Sequence, residues 1–368
     1  MFDYITNSDL YISLMKLNEI CEVYSGYAIK EFNNIKNGLP VIKIWNIQSD
    51  GTLNLGECQF STEDVNEKYH SNKDDIYIAL SGATTGKLGI MEDEKKYIIN
   101  QRVGIIRFKQ KSIYQSYIKY YLLKQTKRII DEATGCAQPN ISPKQIGEYD
   151  VPVFPEKEML QISNILNNIE RVIKHYKAML EKYDDLIKAR FVEMFGEIDD
   201  KNGWPRNKWE DVVTIKNGKD YKNHLIKEGG YPVYGTGGEM CRVNKFLCPE
   251  NTVIVGRKGS INNPLLVKEK FWNVDTAFGV IPDKKVLNYL YFYEFCRKFD
   301  FMKLNKATTL PSTTKADLLK IEINIPPIDL QNQFADFVKQ VDKSKLAVQQ
   351  SLEKTQQLFD SLMQEYFG

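Results

Sequence analysis

Residues 135–155, GCAQPNISPKQIGEYDVPVFP, and residues 307–327, ATTLPSTTKADLLKIEINIPP, are two versions of one pattern. Pro139 falls on Pro311, Ile146 on Leu318, Val151 on Ile323 and Pro155 on Pro327, all at an offset of 172 residues. The offset runs on without a gap through Gln161 and Gln333, Leu180-Glu181-Lys182 and Leu352-Glu353-Lys354, Leu186 and Leu358, and Glu193 and Glu365, to Phe195-Gly196 and Phe367-Gly368. Upstream, KLNEICEVYSG from Lys16 matches KWEDVVTIKNG from Lys208, and GLPV from Gly38 matches GYPV from Gly230, at an offset of 192. The first copy therefore carries 20 extra residues, most of them between Ile47 and Asp75. A duplicated chain has to build each half as a similar unit, which narrows the folds open to 368 residues, a length that by itself suggests two or three domains.

Each copy changes character part-way. Its first part, roughly 15–153 and 207–325, is broken by Gly, Pro and Asn into short apolar runs such as LPVIKIW and NTVIVG, which read as strands and turns. SIYQSYIKYYLLKQTKRIID and VLNYLYFYEFCRKFDFMKL read as helices. The second part, Glu156 to Phe195 and Asp329 to Phe367, is nearly free of Gly and Pro. In the first such segment Ile162, Leu166, Ile169, Ile173, Tyr176, Leu180, Tyr183 and Ile187 recur in alternating steps of four and three, a heptad seam. The second carries the same seam at Phe334, Val338, Val341, Lys345, Val348, Leu352, Thr355 and Phe359. A long helix has to bury such a stripe. The spacing predicts that the two helices pair antiparallel, with polar Lys345 and Thr355 helping to fix register. The alternative is that each helix folds onto its own globular part. The expected fold class is α/β in the α+β sense: two similar domains, residues 1–154 and 197–326, joined by two long antiparallel coiled-coil helices, residues 155–196 and 327–368, in a pseudo-two-fold internal repeat.

Charge excludes a general polyanion binder, because 50 basic against 48 acidic residues leave a net charge of only +2. Any nucleic-acid contact has to come from local clusters. The six cysteines contain no CxxC, and His70, His175 and His224 lie far apart, which argues against a disulfide framework or a bound metal and predicts reduced thiols in a cytoplasmic protein. The amino-terminal MFDYITNSDLYISLMK has acidic residues and no long apolar run, unlike a secretory signal, and no stretch approaches the roughly eighteen apolar residues of a membrane span. ALSGATTGKLGI, residues 79–90, superficially suggests a nucleotide loop. However, only three residues separate Gly82 from Gly86, and Lys87 is followed by Leu88 instead of a hydroxyl. Its counterpart, VGRKGS at Val255–Ser260, matched with IALSGA at Ile78–Ala83, has lost the likeness.

The order of globular part, proline-bearing turn and long helix, repeated once, resembles the specificity subunits of type I restriction-modification systems. Val151-Pro152-Val153-Phe154-Pro155 and Ile325-Pro326-Pro327 open the two helices, and the resemblance spans about residues 15 to 368. In that family a loop-then-helix entry upstream of this turn often reads Gly-x-x-Gln-Pro-x-Ile. GCAQPNI at Gly135–Ile141 fits, whereas ATTLPST at Ala307–Thr313 keeps the proline and loses the glutamine. The resemblance implies two target-recognition domains, spacer helices, and a non-catalytic subunit that reads a bipartite, asymmetric double-stranded DNA site, one half-site per domain. It also implies partners. Modification subunits, two of them, use S-adenosylmethionine to methylate adenine at N6, and restriction subunits use ATP and Mg to translocate and cut. A helix over Glu156–Phe195 is about 60 Å long, comparable with roughly seventeen base pairs, so the helices suit a ruler.

Base edges are read chiefly by Arg to guanine and Asn or Gln to adenine, while Lys, Arg, hydroxyls and backbone amides position phosphates. Ser81, Thr84, Thr85 and Lys87 offer such groups among glycines, with Lys43, Asn46, Gln101, Arg102, Gln138 and Asn140 as further candidates in the first domain. Trp45 is a further candidate, with core, the commoner place for a Trp in an alternating apolar run, as its alternative reading. In the second domain the candidates are Lys219, Lys222, Tyr234, Thr236, Arg257, Lys258, Ser260, Asn262, Asn263, Thr308 and Thr309, with Arg257 the side chain expected to read guanine. Tyr176, Met179 and Phe191 on the first helix, and Leu346, Phe359 and Met363 on the second, are candidates for docking partners.

No stretch carries recognisable chemistry. Asn324-Ile325-Pro326-Pro327-Ile328 approaches the Asn-Pro-Pro-aromatic motif of adenine methyltransferases but has an inserted Ile and lacks the aromatic. Pro282-Asp283-Lys284-Lys285 approaches a nuclease signature without the downstream acidic-x-Lys. Two other readings remain open: a stand-alone DNA methyltransferase or nuclease with unrecognised motifs, and a structural coiled-coil adaptor whose globular ends bind protein.

Overall fold

The apolar runs become strands whose alternate residues serve two different cores. A computed structural model describes residues 13–34, 36–109, 115–133, 139–199, 203–305 and 311–368. It divides into two units: Met1–His175 with Glu353–Gly368, and Tyr176–Leu352.

In the first unit the order is β1 (Ser13–Lys16), α1 (Leu17–Ile20), β2 (Cys21–Ser25), β3 (Leu39–Ile42), β4 (Gln59–Ser61), β5 (Ile76–Ala79), β6 (Leu88–Ile90), β7 (Ile98–Ile99), β8 (Val103–Phe108), α2 (Gln115–Lys124), α3 (Thr126–Ala133), α4 (Pro143–Gly147) and β9 (Asp150–Val153). A four-stranded antiparallel sheet, β2-β8-β5-β6, lies beside a three-stranded sheet, β4-β3-β7, in which β3 and β7 run parallel. β5 is buried throughout. Ile76 and Ile78 join a cluster with Tyr117, Tyr120 and Ile129, whereas Tyr77 and Ala79 join one with Ile42, Met91 and Ile99. This is the period-two alternation of a strand covered on both faces.

After the long helix α5 (Glu156–Phe195), the second unit repeats the plan with β10 (Arg206–Lys208), α6 (Trp209–Val212), β11 (Val213–Asn217), β12 (Leu225–Ile226), β13 (Tyr231–Gly235), β14 (Gly238–Val243), β15 (Thr252–Gly256), β16 (Leu265–Val267), β17 (Trp272–Asn273), β18 (Ala277–Pro282), α7 (Tyr289–Lys298), α8 (Lys315–Leu319), β19 (Glu322–Asn324) and α9 (Ile328–Phe367). Its sheets, β11-β18-β15-β16 and β12-β14-β13-β17, follow those of the first unit with one strand, β12, added at the edge of the second, and keep the parallel pair β13 and β17. Val253 and Val255 face one cluster and Ile254 the other.

Every predicted seam position on α5 and α9 is buried or half-buried. In the first unit Tyr117 meets both Phe154, just before α5, and Phe367 near the end of α9, with ring centroids at 6.3 and 5.0 Å. Tyr120 meets Phe359 at 5.9 Å, and its hydroxyl donates to Asn167 Oδ1 at 2.8 Å. In the second unit Phe191 and Phe195 meet Phe334 at 5.6 and 5.5 Å, and Lys345 Nζ pairs with Asp184 Oδ1 at 2.9 Å. Within each unit, residue numbers rise along one helix as they fall along the other, so the pair is antiparallel. Pairing and seating on the globular parts prove not to be alternatives. The first unit's core takes Met159, Ile162 and Leu166 of α5 together with Met363 and Phe367 of α9, and the second unit's core takes Ile187, Phe191 and Phe195 with Phe334, Val338 and Val341. Lys345 interrupts the seam by answering Asp184, whose carboxylate also lies 3.8 Å from Arg297.

Candidate nucleic-acid interface

Five segments of the first unit meet at one end of its central sheet. Beyond the last β5–β8 pair, Ala79 with Val103, Leu80 N–H still donates to Arg102 O at 2.9 Å. Ile141 N–H donates to Leu80 O at 2.9 Å and Gly82 N–H to Pro139 O at 3.1 Å, which lays Pro139–Ile141 alongside Leu80–Gly82. On the other side Gly26 N–H donates to Val103 O (2.9 Å), Tyr27 N–H to Ile99 O (2.7 Å), and Asn100 N–H to Ile42 O (3.0 Å).

The second unit rebuilds this frame bond for bond. Arg257 N–H donates to Thr276 O (2.8 Å), Thr313 N–H to Arg257 O (3.0 Å) and Gly259 N–H to Pro311 O (2.9 Å). Gly218 N–H donates to Ala277 O (3.2 Å), Lys219 N–H to Asn273 O (3.0 Å) and Val274 N–H to Tyr234 O (3.1 Å). Two glycine pairs explain why the frame holds its shape. A Cβ on Gly26 would overlap Ile99 O, and one on Gly218 would overlap Val274 O, so strand and turn approach too closely for any side chain. Gly82 and Gly259 hold φ of +83° and +81°, where side chains are strained.

Around this frame the expected residues divide into three groups. Gln101, Arg102 and Asn140, and in the second unit Lys219, Lys222, Arg257, Lys258, Ser260 and Asn263, are exposed. Ser81, Lys87, Tyr234 and Thr236 are half-buried. Gln138, Thr308 and Thr309 lie outside the described residues.

Several expectations are corrected by packing. Asn46 is 1% exposed, and its side chain is spent on Lys43 N–H (2.8 Å) and Asn54 O (2.8 Å), closing its own turn. Lys43 is buried too: its ammonium bonds Gln59 Oε1 and sits 3.2 Å from the Phe32 ring centroid, and burial pushes its pKa down. Thr85 is buried, with its hydroxyl donating to Gly82 O at 2.6 Å, and Thr84 Oγ1 is buried as well. Asn262 is exposed, but its amide bridges Asp300 Oδ1 (2.8 Å) and Phe301 N–H (2.6 Å). For Trp45 only the alternative core reading is corrected: it is 52% exposed, because its segment leaves β3 as a one-turn 3-10 helix, Ile44–Asn46, that places Ile44 beside Gly82.

On the long helices, Met179 and Leu346 are exposed at 40% and 60%, and Tyr176 is half-buried. Phe191 and Met363 are core residues at 1% and 6%, so neither presents a docking face, whereas Phe359 is half-buried and packs on Tyr120. The sequence reading missed Ile165, Val172 and Leu186. With Met179 they recur every seven residues along α5, each 38–46% exposed, and this spacing beside the buried seam was the signal that would have found them. Among the described residues no group of three or more His, Cys, Asp or Glu is placed to hold a metal ion, and no helix is long and apolar enough to cross a membrane.

The duplicated chain has relatives among known proteins. The profile of the type I restriction modification DNA specificity domain matches residues 12–182 and again residues 201–357. The chain belongs to this family. It is 23% identical over 324 residues to the type I restriction enzyme MjaVIII specificity subunit of Methanocaldococcus jannaschii, covering 76% of this chain and 74% of that one. It is 23% identical over 369 residues to the putative MjaX specificity subunit of the same organism, covering 89% and 86%. In fold it is similar to the crystal structure of a type I restriction-modification S subunit from M. genitalium, with a TM-score of 0.64 at 15% identity, covering 99% of this chain and 98% of that one. A structure from work on complex assembly and conformational transition of the type I system gives 0.58 at 14% identity, covering 98% and 99%. The two profile matches fall on the two copies read from the sequence, and each contains one complete frame.

Proposed function

We propose that this chain is the DNA-recognition subunit of a type I restriction-modification complex, with each unit reading one half of a split, asymmetric target. The carrying observation is the frame of backbone hydrogen bonds, built twice on one chain and dressed with different exposed side chains: Gln101, Arg102 and Asn140 on one copy, Arg257, Lys258 and Ser260 on the other. One frame with two dressings is what a reader of two unlike half-sites needs, because base-edge contacts carry the sequence information while the backbone positions them. Membership of the specificity family supports the same reading.

In this proposal the chain is not itself an enzyme. Modification subunits, two per chain, bring S-adenosylmethionine and methylate adenine at N6, restriction subunits bring ATP and Mg, and the complex works in the cytoplasm. The seven-residue stripe of α5 and the exposed Leu346 and Leu358 of α9 suit docking of helices from those partners, since apolar positions flanking a filled seam are where a bundle adds strands.

The test is modification-sensitive sequencing of DNA from cells that express this chain with its modification subunit. A split motif with methylated adenines is expected. A continuous motif, or methyl transfer from S-adenosylmethionine by the purified chain without partners, refutes the reading.

A further inference from the structure

Arg102 and Arg257 are not matched positions: Arg257 aligns in sequence with Leu80, and strand register sets Arg102 against Thr276. The frame nevertheless brings them to the same place. Ala79 pairs with Val103 and Gly256 with Ala277, so the next cross-strand pairs are Leu80 with Arg102 and Arg257 with Thr276. Both are joined by the same bond, Leu80 N–H to Arg102 O at 2.9 Å and Arg257 N–H to Thr276 O at 2.8 Å. Residues directly opposite on an antiparallel pair start on one face with Cβ atoms about 5 Å apart, well within the reach of an arginine. Each unit therefore keeps one exposed guanidinium at this point of the frame, and the arginine has changed sides of the ladder between copies.

Their surroundings favour readout. Among the described residues the Arg102 guanidinium has no hydrogen-bonding or ionic partner, and that of Arg257 touches only a backbone carbonyl, Asp275 O, at 3.3 Å. Among the described residues neither is spent on a carboxylate.

We infer that Arg102 and Arg257 are the specificity-determining arginines of the two units, each reading one guanine, at matched depth, in its own half-site. This rests on the proposed recognition of a split DNA target. The test uses the complex of the full chain with its modification subunits, binding duplexes that carry the mapped motif and every single base-pair replacement. Replacing one guanine in each half should weaken wild-type binding roughly 5- to 150-fold, the range of a bidentate arginine–guanine pair. Arg102→Ala should abolish that discrimination at one position of one half only, and Arg257→Ala at one position of the other. Both side chains are exposed, so thermal melts should stay near wild type. The double change Arg257→Leu with Thr276→Arg moves the arginine to the first unit's side of the ladder and should recover guanine preference in the same half. The inference is overturned if both alanine variants weaken binding uniformly with a lower salt slope and unchanged letters, as phosphate contacts would. It is also overturned if both act on one half, or if the double change recovers nothing. A wild-type complex without a split motif instead defeats the functional reading beneath it.

Discussion

Removing Arg107 should loosen the first unit and leave the second untouched. Its guanidinium makes a two-pronged ion pair with Asp75, Nε to Oδ1 at 2.9 Å and a terminal nitrogen to Oδ2 at 2.7 Å, and donates to the carbonyls of Lys68 (3.1 Å) and His70 (2.6 Å). The Asp75 side chain is 3% exposed and also accepts from Asn72 N–H (2.8 Å) and the Tyr77 hydroxyl (3.2 Å). Burial, with the Asp75 charge beside it, pushes Tyr77 well above the usual tyrosine range, so its hydroxyl remains a donor. The cluster fastens the end of the inserted stretch to β8. Arg107→Ala leaves a buried carboxylate without its cation, a change that costs about 3–5 kcal/mol. In native-state hydrogen exchange this corresponds to roughly 150- to 5,000-fold faster exchange of the β5 and β8 amides. The β15 and β18 amides, in a unit that makes no use of this pair, should keep wild-type rates. Replacing both partners, Arg107→Met with Asp75→Leu, removes the orphaned charge and should restore most of the protection. Acceleration below tenfold in β5 and β8, or equal acceleration in both units, would show the reasoning to be wrong.

Other perturbations probe the frame and the helices. Gly26→Ala and Gly218→Ala each force a methyl onto a backbone carbonyl, so each should destabilise its own unit by about 1–3 kcal/mol, read as lost exchange protection in β8 or β18 respectively. Phe334→Ala, at a position with no exposed surface among Phe191 and Phe195, should cost about 3–5 kcal/mol in denaturant unfolding. Leu346→Asp, at 60% exposure, should leave stability within about 0.5 kcal/mol yet reduce co-purification with the modification subunit. Seven-residue insertions at matched seam positions of α5 and α9 keep the heptad phase and add about 10 Å of helix, which is roughly three base pairs of unread gap. The mapped methylation motif should lengthen accordingly with both half-sites intact, and altered letters would contradict the ruler.

The repeat and the seam were legible in the sequence because both are periodicities, and periodic burial is what builds long helices and doubled sheets. Ile162 through Ile187 and Phe334 through Phe359 all lie on the inner side of their helices, and Lys345 sits where the phase required, opposite Asp184. Individual exposure was less legible. Asn46, Lys43 and Thr85 carry polar groups that suit a ligand, but short-range geometry gives those groups backbone and neighbouring side chains to satisfy. Phe191 and Met363 have the composition of a docking stripe, and only the long-range packing of globular part on helix shows that they are already covered.

The clearest case is the pair Leu80 and Arg257, which occupy one position of one frame with opposite fates. Leu80 is 4% exposed and shares a cluster with Ile129 and Ala133 of α3. After α7 the described part of the second unit has, in place of α3, only the one-turn 3-10 helix Phe301–Leu304, tied to the loop through Asn262. With less cover above it among the described residues, the position can carry a cation, and the guanidinium that the first unit supplies from Arg102 is supplied here from across the ladder. A cover lying some fifty residues downstream thus decides what the strand end presents. Duplication followed by change in the cover lets one backbone scaffold present two different surfaces without redesigning its hydrogen bonds, because the bonds are made by backbone atoms that every residue shares.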